Sequence, residues 1–232
     1  MAVAALLFPG CATQYAIRVD ALSAGERGAT AGPRTYELAS ATPGVEEGDL
    51  FFKEVARYLE PVLRENGYRR VEPGTEAGLR IAVDAHLSEP LVETRSYSDP
   101  VYVHTSGYSG AIRVPVLDSE GKVVRYRYYS YYEPPRMELS GWVHRDRQFT
   151  VYDKVLRLSA REILAGGSLS EELWTLTVSL RSDRSDYRSA LPYLLVAARP
   201  YIGERTEGEE VILLKEDSEE VRAFADQVGN VR

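Results

Sequence analysis

Leu79-Arg80-Ile81-Ala82-Val83-Asp84-Ala85-His86-Leu87 alternates without a break: Leu79, Ile81, Val83, Ala85 and Leu87 fall on one side, with Arg80, Asp84 and His86 between them. Successive side chains of an extended chain point to opposite faces, so the pattern predicts a strand with one dry and one wet face. A strand of that kind belongs to an antiparallel or mixed sheet, because sheets covered on both sides read as continuous apolar runs. The dry face then needs a cover from elsewhere in the chain.

The stretch just upstream offers one. Within 49–66, Phe52, Val55, Ala56, Leu59, Val62 and Leu63 recur at helical spacing and form one apolar stripe. Asp49 is the N-cap candidate, and Gly67 stands where a left-handed C′ residue is wanted. Pro61 predicts a kink or a second helical segment, since it has no N–H and crowds the preceding turn. A second helix is expected over 189–201, with Leu191, Leu194, Leu195 and Ala198 as its stripe and Gly203 as its stop. A third, short one follows Asp217 and Glu220, a capping-box spacing, and carries Val221, Phe224 and Ala225.

Strands are predicted over 13–20, 34–40, 111–117, 122–132, 137–143, 148–158, 173–180 and 210–215, with a weaker one at 101–103. Asp118-Ser119-Glu120-Gly121 makes a hairpin turn between two of them. Strands outnumber helices and mostly follow one another. The expected class is α+β: a mainly antiparallel or mixed β-sheet with long hairpins, two main helices packed on one face and a short C-terminal helix.

With 28 basic against 35 acidic residues and a net charge of −7, the chain lacks the clustered positive charge that drives phosphate-backbone binding, so nucleic acid is not an expected partner. No apolar run approaches the ~18 residues of a membrane-spanning helix. The single cysteine, Cys11, has no internal partner for a disulfide. It ends the run from Ala2 to Phe8 and Pro9-Gly10, which has the form of a bacterial lipoprotein signal ending in Gly-Cys. Residues 1–10 are therefore read as a signal-peptide remnant, Cys11 as the lipidation site, and 11–232 as one α+β domain on a very short tether. No Lys or Arg precedes Cys11, so the expectation is that Met1 lies downstream of the true start.

Eight of the sixteen tyrosines fall between Tyr97 and Tyr132. In the strand over 122–132, alternation sets Arg125, Arg127, Tyr129 and Tyr131 on one face and Val124, Tyr126, Tyr128 and Tyr132 on the other. One face can pack on the core while the other shows rings and guanidiniums outward. The first set is a candidate recognition surface for a glycan, peptidoglycan or protein, because exposed Tyr and Arg supply stacking and hydrogen bonds at modest entropic cost. The competing reading is a long amphipathic hairpin held by cross-strand aromatic pairs.

Several local patterns resemble a family of uncharacterised bacterial envelope lipoproteins, a domain of unknown function. They are 49–68 followed by Leu79 to Asp84, then Tyr152-Asp153-Lys154-Val155-Leu156, Leu173-Trp174-Thr175, Leu191-Pro192-Tyr193 and Pro200-Tyr201-Ile202-Gly203. The resemblance implies one α+β domain behind a Gly-Cys lipobox and brings no catalytic residues. Ala12 after the cysteine implies sorting to the outer membrane, facing the periplasm.

Candidate chemistry is thin. Gly107-Tyr108-Ser109-Gly110 approaches a nucleophile-elbow pattern, but that device needs a helix after it and a strand is expected here. His86, His104 and His144 have no metal-ligand spacing, and nothing marks a cofactor site. Asp84 and His86 share a strand face as a possible pair. The expectation is a non-enzymatic, lipid-anchored cell-envelope protein with a structural, assembly or ligand- or partner-binding role, its partners being the membrane through its lipid and an envelope protein or glycan. The alternative is a periplasmic hydrolase acting on cell-wall or polysaccharide material.

Overall fold

The opening strand forms where its alternation places it. β4, Leu79–Leu87, buries Leu79, Ile81, Val83 and Ala85 and leaves Arg80, Ala82, Asp84 and His86 half-exposed. The structure, a computed structural model, describes residues 14–25, 34–71 and 75–229. Cys11, the segment 1–10 and the tether lie outside the described residues. Two compact units make up the chain: Glu93–Phe149, and the remainder built from 1–92 and 150–232.

In the larger unit β4 sits inside a mixed sheet ordered β10-β1-β9-β8-β4-β2-β3. Its members are β1 (Gln14–Ser23), β2 (Thr35–Ser40), β3 (Arg69–Arg70), β8 (Arg136–Ile163), β9 (Leu169–Ser182) and β10 (Glu210–Lys215). β2 runs parallel to β3 and β4, and the other pairings are antiparallel. One row of side chains runs across the sheet into the core: Ile17, Val19 and Ala21 from β1, Leu176, Val178 and Leu180 from β9, and Leu156, Leu158 and Ala160 from β8. The opposite row, with Arg18, Thr177, Arg157 and Arg80, is wet or half-wet. In β4 the alternation predicts the buried face, up to the exposed Leu87 at its end.

α1 (Leu50–Glu65), α2 (Tyr187–Ala198) and α3 (Glu219–Gly229) pack on one another, and α2 also lies against β1 and β9. α1 buries Phe52, Val55, Ala56, Leu59, Val62 and Leu63, the predicted stripe. Fully burying a leucine such as Leu59 contributes about 2–3 kcal/mol. The helix is one segment through Pro61, which is itself buried, so the expected second segment does not form. Packing of the stripe outweighs the lost bond to the Arg57 carbonyl. Asp49 does precede the helix, but its carboxylate accepts from the Glu46 N–H at 2.8 Å and leaves the helix N–H groups alone. Gly67 takes the left-handed conformation that ends α1. α2 begins two residues before the expected 189. Asp186 caps it, accepting from the N–H groups of Arg188 and Ser189 at 3.0 and 3.3 Å.

One charge lies within the core-facing row of β8. Lys154 is fully buried and donates to Ser182 Oγ at 2.7 Å and to the Arg184 carbonyl. Burial pulls its ammonium below the usual lysine range, against Asp183 and Asp153, whose charges favour protonation.

The smaller unit is two ribbons. β5 (Leu91–Thr105) pairs with β8, and β6 (Tyr108–Leu117) pairs with β7 (Val123–Glu133) as a separate two-stranded sheet. The strands expected over 137–143 and 148–158 are one strand, β8. His144 to Arg147 read as a break because they are polar, but polarity does not interrupt a ladder whose two faces are both wet. The turn at Asp118 forms as predicted: Gly121 has a φ of 82°, and the Asp118 carboxylate accepts from the N–H groups of Glu120 and Lys122 at 3.0 and 2.8 Å.

Candidate interaction surface

The expectation that one face of the Tyr/Arg strand packs on the core does not hold. All eleven residues of β7 are exposed, and no residue from 93 to 149 is buried. Tyr128 and Tyr132 are 69% and 67% exposed on one face, and Tyr129 is 50% exposed on the other. Sequence alternation shows that a strand has two faces; whether either is covered depends on what lies opposite, and here neither is.

The β6–β7 register explains what holds the ribbon. Arg125, Arg127, Tyr129 and Tyr131 share a face, as predicted, and stand opposite Val116, Val114, Ile112 and Gly110. Tyr131 is a structural member of this set. Its ring lies over Gly110, where a Cβ would come within 2.8 Å of three of its atoms, and it meets Tyr108 edge-on at 5.8 Å. An aromatic ring covering a cross-strand glycine replaces the packing the glycine lacks. On the other face the Arg113 guanidinium sits 3.8 Å from the centre of the Tyr126 ring. Glu133, at the far end of β7, lies beside Tyr108 and pushes its phenol pKa up, with Tyr131 adding to the effect. The expected cross-strand aromatic pairing is therefore present, while the expected burial is not.

Charge sorts the surface further. Residues 93–149 hold eight Lys and Arg against seven Asp and Glu, so the chain's negative charge belongs to the other unit. Five of the seven arginines here have a side-chain partner: Arg95 with Glu93 and Phe149, Arg113 with Tyr126, Arg136 with Glu138, Arg145 with Asp99, and Arg147 with Phe149. Among the described residues, Arg125 and Arg127 have none. The β5–β8 ribbon is tied by Ser96 Oγ donating to Asp146 at 2.6 Å and by a hydrogen bond between Ser98 Oγ and His144 Nδ1 at 2.7 Å.

Of the catalytic candidates, Asp84 and His86 pair with each other. Asp84 Oδ1 and His86 Nδ1 are 3.0 Å apart on the wet face of β4 in the larger unit. Ser109 lies on β6 opposite Tyr132, with strand on both sides, so the strand-turn-helix of a nucleophile elbow is missing there. His104 is on β5 and His144 on β8, and no group of three metal-binding side chains occurs among the described residues. The larger unit has an open cleft of about 880 Å3 lined by Ser23, Glu204, Arg205 and Thr206, and another of about 500 Å3 by Asn66, Arg199 and Leu214. Neither is lined by Asp84 or His86. No described helix is long and apolar enough to cross a membrane.

No family model matches the chain, and no curated protein does. Among solved structures, a PDZ domain protein from Parabacteroides distasonis ATCC 8503 is similar over 88% of this chain, with a TM-score of 0.36 and 9% identity. This chain spans 40% of that one.

Proposed function

We propose that the chain is a non-enzymatic cell-envelope protein, anchored by lipid at Cys11, in which the α+β unit is a platform and residues 93–149 are the element that binds. α1 and α2 are read as sharing one face of the platform sheet, which leaves its other face wet. The observation that carries the binding role is the absence of any buried side chain in 93–149, alongside exposed Val101, Ile112, Val114, Met137, Leu139 and Trp142. Isolated two-stranded ribbons are marginal in water, and exposed apolar side chains on both ribbons support an interaction role. Arg125, Arg127 and Tyr129 are its polar and aromatic contacts, while Tyr131 shapes the ribbon.

Two measurements test this. Metabolic palmitate should label the chain in cells and fail to label Cys11→Ala; an unlabelled native chain free in the soluble fraction rejects the anchor. The detergent-extracted chain should migrate in a complex larger than one copy, and Arg125→Ala/Arg127→Ala/Tyr129→Ala should reduce it to a single chain. A parent that is already a single chain, and that binds neither anionic vesicles nor peptidoglycan, rejects the binding role.

A further inference from the structure

We infer that β7 is a self-pairing edge: it joins antiparallel to β7 of a second copy of this chain, about a two-fold axis at Tyr129, fusing two β6–β7 ribbons into one four-stranded sheet. This deepens, and rests on, the reading of 93–149 as a binding element. β7 has β6 on one side only, and an edge with unpaired N–H and C=O groups is a template for another strand. The far edge of β6 is less suited to the part. Pro115 interrupts its row of donors, which is how natural sheets blunt an edge.

Pro115 also sets the phase. It stands opposite Tyr126 and has no N–H to give the ladder, so this position turns its backbone groups away from the partner strand. The alternation of an antiparallel pair then points the backbone groups of Tyr126, Tyr128, Ser130 and Tyr132 to the open edge of β7. A two-fold axis at Tyr129 sets Tyr128 against Ser130 of the second copy and Tyr126 against its Tyr132, so outward groups meet outward groups.

The side chains select this register. It places Arg125 opposite Glu133 of the second copy, twice by symmetry, and Arg127 opposite Tyr131. The two arginines that lack a partner in one chain thus meet a carboxylate and an aromatic face in two, and no like charges are opposed. The Glu133 carboxylate retains acceptor capacity for a guanidinium beside Tyr108. Self-complementarity of one patch about a two-fold axis is the form that closed dimers take. A glycan or a lipid surface cannot continue a backbone ladder, and an open strand edge in lipid leaves several backbone groups unsatisfied.

The test uses the full chain in a Cys11→Ser background. In the proposed register the two copies of residue 129 face each other at roughly 5 Å between Cβ atoms, whereas the two copies of residue 126 are about 20 Å apart along the strand. Tyr129→Cys should give a disulfide-linked dimer under mild oxidation, and Tyr126→Cys should not. Arg125→Glu and Glu133→Arg should each weaken the dimer about tenfold, and the double swap should restore it. Within one chain these residues are about 27 Å apart on one strand, so restoration can only come from contact between copies. A cross-link at Tyr126→Cys as strong as at Tyr129→Cys, a double swap that fails to restore association, or a chain that is a monomer by light scattering each overturns the proposal. A monomer that sediments with anionic vesicles or is retained on peptidoglycan overturns the second copy as occupant and leaves the binding role standing.

Discussion

β8 is one strand with two characters. From Val151 to Ala160 it sends Leu156, Leu158 and Ala160 into a core, whereas from Arg136 to Gln148 its side chains are exposed or nearly so. Both halves have ladder partners, in β4 and β9 for one and β5 for the other. Backbone pairing is thus common to the two regions, and apolar burial distinguishes them. The difference separates a part of the chain that buries its apolar side chains from a part that leaves them exposed.

The sharpest way to break that comparison is to delete equivalent bulk from each. Leu158→Ala should lower stability by about 2–5 kcal/mol, measured by denaturant unfolding. Tyr128→Ser in β7 should change it by less than about 0.5 kcal/mol in the monomer. Equal losses would show that the ribbon is packed after all. Next in size, Gly110→Val should push the Tyr131 ring off its glycine and cost the β6–β7 ladder about 1 kcal/mol. Hydrogen exchange should register this in β6 and β7 and leave β4 unchanged; loss in both would mean that the two regions open together.

A smaller effect concerns Asp153, whose carboxylate takes two bonds from Arg181, at 2.7 and 2.8 Å. Those bonds, partly opposed by burial, hold its pKa below the ordinary 3.8. The folded state therefore keeps this group charged after the unfolded chain has begun to protonate it. Its contribution is complete above about pH 4 and fades as the pH falls through the lower folded value. Asp153→Asn should cost about 0.5–1 kcal/mol at pH 7, with the gap to the parent closing in acid. A gap independent of pH would assign the role to packing. The smallest effect belongs to Tyr36, buried with no partner for its hydroxyl among the described residues, and burial pushes its pKa up to about 12. Tyr36→Phe should be neutral or stabilising by a few tenths of a kcal/mol, because it removes a desolvated group that bonds to nothing. A loss above about 1 kcal/mol would reveal a hidden partner.

Where burial imposes a period, the chain announces itself: β4 forms where alternation puts it, and the stripe of α1 is the stripe it buries. Where nothing is buried, the period has no one-sided pattern to follow. The two halves of β8 therefore read as separate strands, and β7 reads as half-packed when it is bare. The four candidates on β7 share a face because alternation is local. That Tyr131 covers Gly110, and that Glu133 ends the same face, depends on a register across strands that no single segment encodes. Asp186 gives no cap signal in the sequence because the apolar stripe of α2 starts after its first turn.

The place of β1 in the sheet carries a consequence for timing. Gln14–Ser23 lies between β9 and β10, pairing Val19 with Val178 and Ile17 with Ile212. A ribosome adding roughly 5–20 residues per second must work for roughly 10–40 s after making this strand before both neighbours exist. Through that interval β1, with its apolar face, waits for residues 210–215, so a chaperone that meets the incomplete chain should find β1 among its client segments.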